Sequence, residues 1–233
     1  MSAASASLQA GTWLVLRRVG RRHAMGITAA AVAFAAIASY AERKAVVSDA
    51  ASRALQGPGF GLALPIAAFA VLSCSLGRGR LEAGVSPAAA LGAHRRLAAL
   101  GALVGAAVVA AAIGALIACV TALAGHGPPS AASVSDALTS SWIGALTAAC
   151  YTFYFGAGAS FGAQGGGRVI ALGLDLLIGP LATPVAVLFP RAHALNLLGR
   201  PEAVPGWSQA ASTIGLVSLA CFFALMAVRR TPD

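Results

Sequence analysis

Residues Gly77–Arg96 read GRGRLEAGVSPAAALGAHRR, and the fold of the whole chain turns on what this stretch is. It carries four arginines (Arg78, Arg80, Arg95, Arg96) and Glu82, in a chain only 10% charged. Long apolar segments flank it on both sides. Lys/Arg-rich connections between membrane spans are retained in the cytoplasm, so this one is expected to face it. Within the stretch, Ser86-Pro87-Ala88-Ala89-Ala90-Leu91 reads as a helix start, with Ser86 as N-cap and Pro87 at the first helical position. A short surface helix between two spans is suited to receive push and pull from a soluble partner. The plainer reading is a charged loop that only fixes orientation.

Composition supports spans around this loop. The 233 residues are 58% hydrophobic, with a mean hydropathy of +0.81, whereas soluble domains carry about a quarter charged residues. A net charge of +9 would point to nucleic acid in a soluble domain. Here the arginines sit at segment ends, where orientation and lipid headgroups account for them, and no nucleic-acid partner is expected. Cys74, Cys119, Cys150 and Cys221 all fall in apolar segments without a CxxC pair, so they read as small apolar residues. The N-terminal arginines follow an apolar stretch with no clean cleavage site, so no cleaved leader is expected.

Taken in order, residues 8–22 read as an amphipathic helix at the membrane interface. Arg17, Arg18, Arg21 and Arg22 share one face toward anionic headgroups, Leu8, Thr12, Val15, Leu16 and Val19 gather opposite, and Trp13 lies on the flank. A plain cytoplasmic tail is the alternative. Six spans follow, over 24–40, 60–76, 97–124, 136–162, 169–189 and 208–228, in a single membrane domain covering 1–233. Pro65 is expected to kink the second. The third, at about 1.5 Å per residue, exceeds the ~30 Å hydrocarbon core and must tilt or protrude. Its Gly101 and Gly105 form a GxxxG pair suited to close helix packing. Gly165-Gly166-Gly167-Arg168 is a tight inner turn. It is no phosphate loop, since no GxxxxGK[ST] exists and the only lysine is Lys44. Asp175 is an acid inside the fifth span, read either as a functional site or as an ion-pair partner of Arg168 two turns back. From Pro180 to Pro205 five prolines break an apolar stretch, which reads as outer re-entrant or interfacial half-helices.

This topology places both termini inside. Eleven of the 16 basic residues then lie inside: Arg17, Arg18, Arg21, Arg22, the four of the opening stretch, Arg168, Arg229 and Arg230. Five lie outside: Arg43, Lys44, Arg53, Arg191 and Arg200. The bias has the sign that the positive-inside rule demands.

Gly79-Arg80-Leu81-Glu82 followed by Val85-Ser86-Pro87 is similar to the loop between spans two and three of ATP-binding-cassette (ABC) transporter membrane subunits. More specifically, the layout resembles the type 2 exporter permeases over nearly the full length. The loop departs from that family in being rich in glycine and alanine rather than leucine, and Asp175 matches no family motif. The resemblance implies an all-α membrane protein with an N-terminal elbow helix, six spans, a coupling helix between spans two and three, and outer re-entrant half-helices after span five. It implies that Arg80, Glu82, Ser86, Pro87, Ala89, Arg95 and Arg96 face an ABC ATPase subunit; Asp175, as a lone acid inside a span and not by the resemblance, is the candidate for a gating or substrate path. A second permease copy or a related chain completes the transporter in a bacterial inner membrane. ATP and Mg belong to the ATPase; no cofactor, metal or catalytic residue is expected on this chain, which is not read as an enzyme.

Two other classes compete. One is a non-transporting scaffold or assembly subunit. The other is an intramembrane enzyme, for which a serine nucleophile needs a partner histidine within the spans. Ser160 lacks a Gly-x-Ser context, and His23, His94, His126 and His193 lie at segment ends or in loops. Spans lined by Ala and Gly suit a lipid, a hydrophobic peptide or a small drug equally. The orientation is tested with single cysteines at positions 5 and 48 in a background without the native four. An impermeant thiol reagent added to intact cells should label position 48 and spare position 5; equal labelling overturns the topology.

Overall fold

The structure, a computed structural model, describes residues 2–19, 22–45, 49–77, 79–127 and 130–232. All regular structure among them is helical. The main helices are α1 (Ala3–Val19), α2 (Arg22–Ala45), α3 (Ala50–Ala54), α4 (Leu64–Leu76), α5 (Leu81–Ala90), α6 (Arg95–His126), α7 (Ala131–Ala159), α8 (Gly167–Ile178), α9 (Pro190–Leu197) and α10 (Gln209–Arg229). Among the described residues, four stretches hold helices long and apolar enough to cross a membrane: Met25–Ala45, Ala50–Ala90, Arg95–His126 and Gln209–Arg229.

The fourth and fifth expected spans differ from these. α7, at 29 residues, is long enough at about 43 Å. Ser133, Ser140, Thr147, Tyr151, Thr152 and Tyr154 are buried along it, and its hydroxyls make it more polar than those four. The fifth expected span does not run from 169 to 189 as one helix. α8 has 12 residues, about 18 Å, and stops at Ile178 before Gly179-Pro180. A 3₁₀ turn over Pro184–Leu188 and the eight-residue α9 take up the rest.

The expected loop between the first two spans is short. α2 runs on to Ala45, and α3 begins at Ala50. α3 and α4 form one helical run whose middle, Leu55–Ala63, is wound as π-helix around Pro58. A proline cannot continue an α ladder, because it lacks the N–H and its ring crowds the carbonyl four residues back; a wider turn relieves both. The irregularity therefore lies upstream of Pro65, which sits in the first turn of α4. α7 begins earlier than residue 136 because Ser130 and Ser133 cap each other's backbone N–H groups, at 3.1 and 2.8 Å.

Glycines set the closest helix contacts. Gly114 of α6 and Gly144 of α7 face each other so tightly that a Cβ on either would meet the other's carbonyl oxygen at 2.5 Å. The Gly101/Gly105 pair packs against α1, where Gly11 reciprocates; a Cβ on Gly11 would collide with the carbonyl of Ala98, and one on Gly101 with that of Leu8. Thr12 Oγ1 donates to the Gly101 carbonyl at 3.1 Å. So α1 turns its small face (Ser7, Gly11, Val15) to the bundle and leaves Trp13 and Leu16 outward.

The two ends of the bundle are distinct. At one end α1, the 77–96 stretch and the chain's C-terminal residues meet: the His94 N–H donates to Ser7 Oγ at 3.1 Å, and Arg96 Nε to the Thr231 carbonyl at 3.2 Å. At the other, Gln56 of the π segment reaches the Leu198 carbonyl at 3.1 Å, and Gln209 reaches Leu197 at 3.4 Å.

Gly114→Ala or Gly144→Ala should push α6 and α7 apart and cost about 1–3 kcal/mol, the usual penalty for overpacking. Gly173→Ala, in α8 with nothing within 4 Å of the new Cβ, should leave stability unchanged or slightly raised. Thermal unfolding of the detergent-solubilised protein separates the two; equal melting temperatures would mean that α6 and α7 do not pack through these glycines.

Candidate functional site

The opening stretch forms a helix, but it starts earlier than Ser86. α5 begins at Leu81, with Arg80 extended at the N-cap and Glu82 in the first turn. Burial decides this, since Leu81, Gly84, Val85 and Ala88 form the stripe packed on the bundle. Ser86 and Pro87 lie inside the helix. Pro87 has no N–H for the carbonyl of Ala83, four residues back, and the Ser86 hydroxyl donates to that carbonyl instead, at 2.9 Å. The helix closes in a Schellman turn: Gly92 adopts φ +86° and its N–H donates to Ala89, while the Ala93 N–H donates to Ala88. Ala83, Ser86, Pro87, Ala90 and Leu91 face outward, Leu91 at 90% exposure. Glu82 and Ala89 are half-buried along the edges, and Arg95 and Arg96 lie exposed at the start of α6.

Arginines fasten this helix through backbone carbonyls. Arg18 of α1 donates to the carbonyls of Ser75 and Gly84, both at 2.9 Å, and so joins the end of α4 to α5. This corrects its expected place toward lipid headgroups. The cause is the Ser75 carbonyl, which lies in the last turn of α4 where no intrahelical donor remains. Arg80 Nε donates to the Gly162 carbonyl at 2.9 Å, beyond the end of α7. Arg168, only 4% exposed, donates to Gly165 at 3.1 Å, Gly77 at 3.0 Å, Ser73 Oγ at 3.4 Å and Gly79. Arg17 and Trp13 remain exposed on α1. Arg21, the side chain of Arg22 and Arg78 lie outside the described residues.

Asp175 does not pair with Arg168. Both belong to the buried stripe of α8, Arg168–Ala171–Asp175, but seven residues separate them by about 10 Å along the axis. Each faces a different neighbour. Tyr151 Oη, fully buried on α7, donates to Asp175 Oδ2 at 2.6 Å. The backbone N–H of Arg191, in the first turn of α9, reaches Oδ1 at 3.4 Å. Between them Tyr154 Oη donates to the Ala171 carbonyl at 3.0 Å. Val169, Ile170, Leu174 and Leu177 point outward. α8 thus links the carbonyls of Gly77 and Gly79 at one end to α9 at the other, largely through hydrogen bonds. Tyr151 and the carbonyl roles of Arg18 and Arg168 carry no sequence motif; the one readable hint was an arginine beside a glycine run whose carbonyls no side chain shields.

His126 spends both ring nitrogens, Nδ1 on the Ala122 carbonyl at 2.9 Å and Nε2 on Asp136 at 3.0 Å, which leaves none to activate a nucleophile. Ser160 Oγ donates to the Gly156 carbonyl at 3.3 Å. Among the described residues no group of three or more His, Cys, Asp or Glu side chains is placed to hold a metal. No family model, curated protein or solved structure matches the chain.

Arg168→Lys should destabilise the protein by about 2–3 kcal/mol, because one ammonium cannot replace a fork spread over four acceptors. Tyr151→Phe should cost about 1–3 kcal/mol by leaving a buried carboxylate oxygen without its donor. Chemical denaturation in detergent measures both, and limited proteolysis near Gly77 should rise only in Arg168→Lys. Cleavage rising equally in Tyr151→Phe would mean that α8 is not held at two separate points.

Proposed function

We propose that this chain is the membrane permease subunit of an ABC exporter of the type 2 class, driven by a separate ATPase subunit that holds ATP and Mg. The observation that carries this reading is α5. It is a short helix between two long apolar ones, anchored on one face and presenting Ala83, Ser86, Pro87, Ala90 and Leu91 on the other. Small side chains with one protruding leucine suit insertion into a close-fitting cleft of a soluble partner, with Arg80, Glu82, Arg95 and Arg96 as polar rim. In this reading the spans cross the bacterial inner membrane with both termini and α5 cytoplasmic, and a second copy or a related permease chain completes the pathway.

The mechanism is mechanical. Closure of the ATPase on ATP displaces α5 together with Gly77 and Gly79 in front of it. Arg168 grips that backbone, so α8 moves with it. Asp175 carries the displacement to the first turn of α9, among the half-helices expected to close the outer side. Nothing covalent happens on this chain.

Leu91→Glu and Ala90→Trp alter only the outward face of α5, so the protein should fold and insert normally. Loss of a central apolar anchor should cost about 2 kcal/mol of docking, a thirtyfold weaker complex. The check is co-purification of a nucleotide-binding subunit from the native host, with its ATPase activity measured in the complex. If that subunit stays bound and fully active in both variants, α5 only fixes orientation and the chain reads instead as a non-transporting scaffold.

A further inference from the structure

The end of the bundle opposite α5 holds a cavity of about 800 Å³. It lies where α2, α3, α6, α7 and α10 begin or end, with the Leu197–Gly199 segment closing one side. Its size falls within the range of small-molecule sites. The inner wall is apolar, built on the buried side chains of Leu55 and Ile143 with Ala50 and Ala51.

The charges on its wall are arranged unusually. His126 and Asp136 pair with each other at 3.0 Å. The other ring nitrogen of His126 faces the Ala122 carbonyl at 2.9 Å, so His126 and Asp136 are occupied with partners within the wall. Arg43, from α2, and Asp49, before α3, are the other two charges on the wall. Neither side chain has a hydrogen-bond or ion-pair partner among the described residues, and the two do not bridge each other. The Arg43 guanidinium lies against Gly127, where a Cβ would approach its Cζ to 2.6 Å. The cavity therefore offers one unpaired cation, one unpaired anion and an apolar floor, at the level where the apolar helices end and a bilayer's headgroups begin.

We infer that this cavity binds a zwitterion with an apolar part. The ligand's anionic group sits on Arg43, its ammonium on Asp49, and its hydrocarbon on Leu55 and Ile143. A phosphoethanolamine lipid headgroup and a free apolar amino acid share this chemistry. The inference does not depend on an ATPase partner, so it stands or falls apart from the transporter reading.

The test uses the full chain. Native mass spectrometry from nanodiscs of mixed phosphatidylethanolamine and phosphatidylglycerol reads lipid retention, and calorimetry with L-leucine or phosphoethanolamine reads soluble ligands. Wild type should retain the ethanolamine lipid, or bind L-leucine, in preference to the anionic probes phosphatidylglycerol and acetate. Asp49→Asn should abolish that preference, and Arg43→Gln should weaken binding about tenfold, the loss of one charged partner. Both residues are exposed, so melting temperature should not change. Retention of the lipid with no L-leucine binding assigns the ligand to the membrane, and the converse assigns it to solution; either supports a zwitterion site. No preference in wild type for either zwitterion, or a preference that survives Asp49→Asn, overturns it.

Discussion

The carbonyl oxygens around the C-terminal end of α4 are held by two arginines, and the arrangement of this end of the protein depends on them. A helix that ends against protein rather than water leaves its last carbonyls without donors. Arg18 takes the Ser75 carbonyl together with that of Gly84, and Arg168 takes those of Gly77 and Gly79. Hydrogen bonds from a charged donor contribute about 1.5–3 kcal/mol each, roughly twice a neutral pair, which makes the guanidinium fork an efficient cap for several carbonyls at once. Lysine, a single point donor, could not span these acceptors. Four helices, α1, α4, α5 and α8, meet at this one set of bonds.

Two kinds of helix contact coexist in the bundle. α6 and α7 touch backbone to backbone at Gly114 and Gly144, a contact with no room to slide. α8 buries only Arg168, Ala171 and Asp175 and attaches through directional hydrogen bonds at both ends. Such bonds can exchange one acceptor for another at small net cost, because a lost partner is replaced by a similar one. A rigid α6–α7 pair beside a hydrogen-bonded strut is the physical basis for assigning movement to α8 and a fixed frame to the long helices. The outer face of α8 is apolar, formed by the exposed Val169, Ile170, Leu174 and Leu177.

The prolines follow the same division. Pro87 is tolerated within α5 because Ser86 serves the carbonyl that it leaves open. Pro58 is absorbed by π turns, and Pro180, Pro184 and Pro190 confine the chain after α8 to short pieces. The long helices α6, α7 and α10 contain none.

The sequence by itself determined the class of the protein and the extent of its long apolar helices. Residues 97–124 and 208–228 became α6 (Arg95–His126) and α10 (Gln209–Arg229), because an uninterrupted apolar run bounded by charge or a capping serine leaves little freedom over where a helix begins. It also placed a short helix after Gly77. It did not determine where that helix starts, since Ser86-Pro87 is a sound local signal that the burial of Leu81 and Val85 overrides. Nor did it settle what the isolated charges do. Arg18, Arg168 and Asp175 each have partners more than fifteen residues away in sequence, and all three bind backbone groups, which leave no trace in residue type. Arg168 and Asp175 share a helix face and look paired on a helical wheel, yet about 10 Å of axial rise keeps them apart. Only the tertiary structure, by deciding which carbonyl or hydroxyl lies across from each charge, could say what each one holds.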